Sequence, residues 1–220
     1  MTTYDFRQVT CSICGTASEQ QVLMSTNTLG FQDLDLRPPE MQRSTMSTWL
    51  HECPSCGFVS EDLTNAEEGT QELLAAERFK ALHQDRALSG TLIGRCLKRS
   101  FLAEELGNAL EAANCALWAA WAADDSDNRS AIEYRSKAAD LFLAAASAAP
   151  AGSEGSIMMR TRTVDILRRA RRWDEAIGLA DAVLADDALD PTIRSIVEFG
   201  RRLSQAGDHS THTVQDAIPG

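Results

Sequence analysis

Long apolar runs are missing from this chain. The longest, Cys115–Ala123, is nine residues, against roughly 20 for a helix that crosses a bilayer, so no membrane span is expected. The opening MTTYDFRQVTCSICG carries no basic flank followed by an apolar stretch. It does not read as a secretory leader, and a cytoplasmic, reducing setting is the expectation. Basic residues are scarce at the N-terminal end: residues 1–64 hold three arginines and no lysine against eight acids, a net −5 within a chain of net charge −11. Nucleic-acid binding rests on neutralising phosphates with Lys and Arg, so nucleic acid is not the expected partner. No nucleophile stands at recognisable spacing from a base, and there is no glycine-rich phosphate loop, so the chain does not read as an enzyme.

What the 220 residues do contain, 44% apolar and 24% charged, is ordinary for a globular chain. They divide into two kinds of sequence. Residues 1–64 hold four of the six cysteines, the Pro38-Pro39 break and no sustained helical periodicity. Alternation in Met46–Cys53 would place Trp49, His51 and Cys53 on one face of a strand, and Gln21–Ser25 is a second strand candidate. At Thr64-Asn65-Ala66-Glu67 the pattern turns to a capping box, and helical periodicity follows. Seven helices are expected, at roughly 66–86, 92–105, 107–124, 128–148, 155–171, 174–186 and 191–206. They are punctuated by Gly107, the polar run 124–127, Pro150-Ala151-Gly152 and the Asp190-Pro191 helix start.

Seventeen alanines between residues 101 and 150 suit closely approaching helices. The stretch ILRRARRWDEAIGLADAVL is similar to a tetratricopeptide repeat, yet Ala131 and Ala176 lie 45 positions apart instead of about 34, so any repeats are degenerate.

The strongest signal is a pair of C-x-x-C-G knuckles, Cys11-Ser12-Ile13-Cys14-Gly15 and Cys53-Pro54-Ser55-Cys56-Gly57. In such a knuckle two thiolates face one ion, and the glycine takes the left-handed turn that this requires. Four thiolates suit zinc in a closed structural site, with rubredoxin-like iron as the alternative and a dithiol redox pair as a third reading. The 38 residues between Cys14 and Cys53 are no obstacle. Doubling a loop costs only about 0.6 kcal/mol, against apparent zinc-binding energies of roughly 10–16 kcal/mol.

The segment Thr26–Val59, TNTLGFQDLDLRPPEMQRSTMSTWLHECPSCGFV, taken with the first knuckle and the helices that follow, resembles the bacterial domain-of-unknown-function 2225 family. The resemblance implies metal ligands at Cys11, Cys14, Cys53 and Cys56, an intervening motif containing Asp33, Asp35, Arg37 and Pro38, and tetratricopeptide-like helices beyond. Ser12 and Phe58 depart from the commoner residues at their positions. The family implies an architecture and a bacterial cytosolic setting, with no activity attached.

Other candidates are weaker. Asp33, Asp35 and Arg37 are candidates for lining a partner-binding groove. His51 would share a strand face with Cys53 and is a candidate donor to a metal ligand. Arg160, Arg162, Arg168, Arg169, Arg171 and Arg172 surround only Asp165. Of these, Arg168, Arg169 and Arg172 are read as gripping an acidic partner or docking the chain's own acidic N-terminal part. Cys96 and Cys115 fall inside helical patterns as buried thiols.

The expected fold class is α+β. A small zinc-ribbon β unit with a long insert spans 1–64, an all-α tetratricopeptide-like array spans 65–207, and a frayed tail spans 208–220. The expected function is a protein-interaction scaffold or adaptor braced by Zn2+. A redox protein and a nucleic-acid-associated ribbon are the alternatives.

Overall fold

A computed structural model describes residues 1–218. The chain opens with two hairpins, and each knuckle is the turn of one. Strands β1 (Thr3–Thr10) and β2 (Ala17–Ser25) pair antiparallel, with Thr10 opposite Ala17 and Tyr4 opposite Leu23. Strands β3 (His51–Glu52) and β4 (Val59–Ser60) form a much shorter antiparallel pair. Nine helices follow among the described residues: α1 (Thr70–Leu74), α2 (Glu77–Gln84), α3 (Leu92–Glu105), α4 (Ala109–Asp125), α5 (Ala131–Ala148), α6 (Glu154–Arg169), α7 (Trp173–Leu184), α8 (Pro191–Gln205) and α9 (Val214–Ala217). The α+β class is as expected, and from α3 to α8 each helix packs on the next.

Two local expectations are corrected. The segment read as a strand from Met46 is a 3-10 helix over Arg43–Thr48, and extended backbone begins only at His51. Its hydroxyls explain this. Thr45 Oγ1 donates to the Gln42 carbonyl and Thr48 Oγ1 to the Thr45 carbonyl, offering the backbone an alternative to a strand ladder. Met46 then turns inward among the helices.

The single helix expected at 66–86 is two short ones. Gly69 is left-handed at φ 86° and Ala76 is extended at ψ 143°, so helix starts at Thr70 and breaks before Glu77. Glu67, expected to cap, instead accepts from Arg99 and Asn108.

Small side chains set the packing of the stack. Ala113, Ala116 and Ala120 of α4 meet Ala138, Ala139 and Phe142 of α5 around the buried Trp121, with Ile166 and Leu167 of α6 closing the cluster. The N-terminal part has no separate core. Met46 and Trp49 belong to this cluster, Leu50 and Val59 pack with Ile93, Cys96 and Ala119, and the cysteine turns pack on Phe79, Phe101 and Leu102. The expected boundary at residue 64 therefore runs through shared apolar clusters.

The acidic insert and the arginine cluster are the other correction. Asp35 is fully buried, accepting from Trp121 Nε1 at 2.8 Å and Arg169 Nη1 at 3.0 Å, while its carbonyl accepts from Arg162 Nε at 2.7 Å. Asp33 accepts from Arg43 at 2.7 Å, and Arg37 donates to Asp125 at 2.5 Å. Arg169 and Arg135 both bind Asp124. Arg168, also fully buried, pairs with Asp165 and donates to the carbonyls of Asp208 and Ser210. Asp33, Asp35, Arg37, Arg168 and Arg169 are thus buried rather than exposed, each beside an opposite charge of this chain, namely Arg43, Arg169, Asp125, Asp165 and Asp35 in turn. A buried charge demands a partner, and each of these has one within the chain. Arg172 is half-exposed but held by Asp140 and Glu175. Docking of the chain's own acidic segment is what Arg162 and Arg169 of α6 do, while Arg168 holds the segment that follows α8.

The tail does not fray over 208–218. Val214 N–H donates to the Gln32 carbonyl, Leu34 N–H donates to the His212 carbonyl, and Thr213 and Asp216 form a capping box on α9. Residues 219–220 of the expected tail lie outside the described residues.

Gly94, in the first turn of α3, lies against the segment before the helix. A Cβ there would collide with the Leu88 carbonyl oxygen and carbon. Backbone cannot yield as a side-chain tip can, so Gly94→Ala is expected to destabilise the fold by about 1–3 kcal/mol. Chemical denaturation measures it, and an unchanged midpoint would contradict this close approach.

Candidate metal centre

The two knuckles are built to one plan. In the first, Cys11 N–H donates to the Thr16 carbonyl and Gly15 N–H to the Cys11 carbonyl. In the second, Cys53 N–H donates to the Phe58 carbonyl and Gly57 N–H to the Cys53 carbonyl, at 2.9–3.0 Å throughout. Gly15 and Gly57 sit at φ 72° and 74°, a conformation in which a Cβ is strained.

The turns face each other, and the sulfurs of Cys11, Cys14, Cys53 and Cys56 all lie within 4.8 Å of one another. Cys14 and Cys53 Sγ are 3.5 Å apart, and Cys11 and Cys56 Sγ are 3.8 Å apart. These are not disulfides, which would need about 2.05 Å. With zinc–sulfur bonds of about 2.3 Å, the edge of a tetrahedron is about 3.8 Å. The donor set and its spacing therefore fit a single four-coordinate ion.

The cluster has a dry side and a wet side. Cys11 and Cys53 are buried, Cys56 is half-buried and Cys14 is exposed. Phe58, Leu63, Phe79, Phe101 and Leu102 stand behind the buried pair. Burial pushes the Cys11 and Cys56 thiols up, whereas the Thr16 side chain and backbone hydrogen-bond to Cys14 and hold it at about 6. Gln20 Nε2 donates to the Glu52 carbonyl at 3.3 Å, which ties the hairpins together beside the site. The Glu52 carboxylate also receives the buried Lys98 ammonium from α3.

His51, a candidate donor to a ligand, is not among the converging groups. It faces Arg95 and Asp62, and burial together with Arg95 lowers its pKa. The histidine at the knuckle is His83 of α2. Its ring occupies the space above Gly57, where a Cβ would come within 2.6 Å of Nδ1. One turn separates it from Phe79 on the same helix face, but nothing in the sequence tied that face to the second knuckle. Cys96 and Cys115 are buried away from the cluster, with burial pushing Cys96 up to about 12 and Cys115 in the same direction.

A groove of about 660 Å³ lies between β2, the insert and α4. Leu23, Trp49, His51, Trp118 and Arg162 line it, and Trp49 and Trp118 meet edge-to-face at 5.1 Å. No protein-family model, curated protein or solved structure matches the chain. No helix among the described residues is long and apolar enough to cross a membrane.

Proposed function

We propose that the chain is a protein-interaction scaffold whose N-terminal hairpins are locked by one structural zinc ion. The observation that carries the metal reading is the convergence of four free thiols from two matched turns onto one point. Cys11, Cys14, Cys53 and Cys56 hold the ion. Once loaded it supplies folding energy and leaves no open coordination position for a substrate. The chain's own residues do the rest. The glycine turns aim the sulfurs, the apolar wall excludes water from the Cys11 and Cys53 side, and the Gln20 and Lys98 contacts fix the two hairpins on α3.

Metal analysis with a visible spectrum, on protein purified anaerobically without added metal, tests this reading. The expected result is about one zinc per chain and no colour. Thiolate-to-iron absorption, or a metal-free chain with paired cysteines, would replace it with a redox function.

The scaffold reading is supported by the open, aromatic-lined groove, since such grooves bury extended or helical segments of other proteins. The order of knuckle, insert, knuckle and helices, which resembles the domain-of-unknown-function 2225 family, is compatible with it and names no partner. Trp118→Glu places a charge in the groove. Proteins that co-purify with the native chain and not with this variant would be groove ligands, and identical sets from both would remove the scaffold reading.

A further inference from the structure

Among the described residues, β1 is an edge strand with no strand paired on its outer side. Among the described residues it pairs only with β2, in a sheet of two strands. Of its eight residues only Val9 is half-buried, and Tyr4 and Phe6 stand 39% and 59% exposed. Lone two-stranded ribbons are marginal in water, and an open edge of this length is a template for another strand.

The direction of the free main-chain groups can be read from one bond. Phe6 N–H donates to the Asp5 side chain at 2.9 Å and so points away from β2. By the period of two, the N–H and C=O groups of Tyr4, Phe6 and Gln8 share that outward side.

We infer that β1 is the dimer interface for a second copy of this chain, the two strands running antiparallel about a two-fold axis at Phe6. The charge pattern selects this partner and register. A two-fold axis at position 6 sets Asp5 opposite Arg7 of the second copy and Arg7 opposite Asp5 of the second copy, with Tyr4 opposite Gln8. These are the only charges on the strand, so the edge is neutral and self-complementary although the chain carries −11.

Phe6 meets its own equivalent as a hydrogen-bonded pair, and the Asp5–Arg7 positions fall on the closer, non-hydrogen-bonded pairs, whose Cα atoms are about 4.5 Å apart. About six main-chain bonds form, from Tyr4, Phe6 and Gln8 of each copy. The result is a four-stranded sheet, β2-β1-β1-β2. The Phe6 rings face each other across the axis, with the tyrosines diagonal to them on the same face. The Asp5 carboxylate gives up its bond to the Phe6 N–H, which the second copy's Phe6 carbonyl then takes, and turns to the guanidinium opposite.

The test is the molar mass of the metal-loaded full chain by sedimentation or light scattering, at about 100 μM, where micromolar association is complete. Twice the 24.0 kDa chain mass is expected. Asp5→Arg and Arg7→Asp should each weaken the dimer about tenfold to hundredfold, because two attractive cross-strand pairs become two like-charge pairs. An equal mixture of the two variants restores both pairs in a heterodimer, and the double variant Asp5→Arg/Arg7→Asp restores them in a homodimer. Both should recover the native association. Both substituted positions are exposed in the single chain, so at dilution where every form is monomeric the melting temperatures should agree. A monomeric native chain, or a dimer indifferent to both single variants, would overturn the inference.

Discussion

Cys53→Ser is expected to remove the bound metal and to lower the melting temperature by at least about 10 °C, the shift that corresponds to roughly 3–5 kcal/mol in a chain of this length. The effect is large because Cys53 serves twice. Its sulfur is one of four that hold the ion. Its side chain is also fully buried against Phe58, Phe79, Phe101 and Leu102, so the knuckle and α2 are stabilised through one residue. A serine oxygen is a poor replacement for a thiolate and leaves a buried hydroxyl in an apolar wall.

Loss of helical signal should be confined to the short α1 and α2, since the α4–α6 core is built from alanines, Trp121 and Phe142 and does not touch the cysteines. Chelation of the native chain should reproduce the destabilisation. Cys96→Ser is the control, because it changes a buried thiol outside the cluster and should retain one metal per chain. A Cys53→Ser protein that keeps its metal, or a chelated protein with an unchanged melting temperature, would refute the four-cysteine site.

Asp35→Ala is expected to cost about 3–5 kcal/mol, because removing one partner leaves uncompensated charge in the interior. Arg169 would lose a 3.0 Å carboxylate contact and Trp121 Nε1 its only acceptor on that carboxylate. The insert would then hold to the helical stack through the Arg37–Asp125 pair and the bond from Arg162 to the Asp35 carbonyl. Asp35→Asn keeps an oxygen for Trp121 but no charge for Arg169, so it should fall between the two.

The pH dependence has a definite sign. Burial alone would raise the Asp35 pKa, but Arg169, Arg135 and the Trp121 hydrogen bond together hold it below its ordinary 3.8. A carboxylate depressed in the folded state contributes fully above its unfolded pKa and loses that contribution as pH falls through the folded one. The advantage of the native chain over Asp35→Asn should therefore be constant near neutrality and shrink below about pH 4. Asp165 runs the other way, its pKa raised chiefly by burial, so the acid profile of the native chain is shallower than Asp35 alone would give. Denaturation midpoints at neutral and acid pH measure both effects. An equal gap at both would mean that Asp35 is not held as a carboxylate.

How much was legible in the residues depends on distance along the chain. The knuckles were, since two cysteines and a glycine within five positions specify a turn and its chemistry together. So were the helices from α3 to α8, where Asp190-Pro191 and the alanine periodicity act within one turn. The break inside 66–86 was missed because Ala75 and Ala76, good helix formers, are where the helix stops. Tertiary packing of Phe79 beside the knuckle overrides local propensity there. The reading of Met46–Cys53 as a strand failed because alternation alone cannot see hydroxyls bonding back to carbonyls.

By itself, the sequence determined the chelating group and the helical body, because thiolate spacing and 3.6-residue periodicity are local. Only the tertiary structure decided what the charges do. Arginines clustered in α6 and aspartates in the insert look alike whether they meet solvent, a partner or one another. Asp35 and Arg169 stand 134 positions apart, and their pairing exists only once the insert is folded across α4 and α6. Desolvation then fixes the outcome, since charges brought together out of water must neutralise one another to remain there.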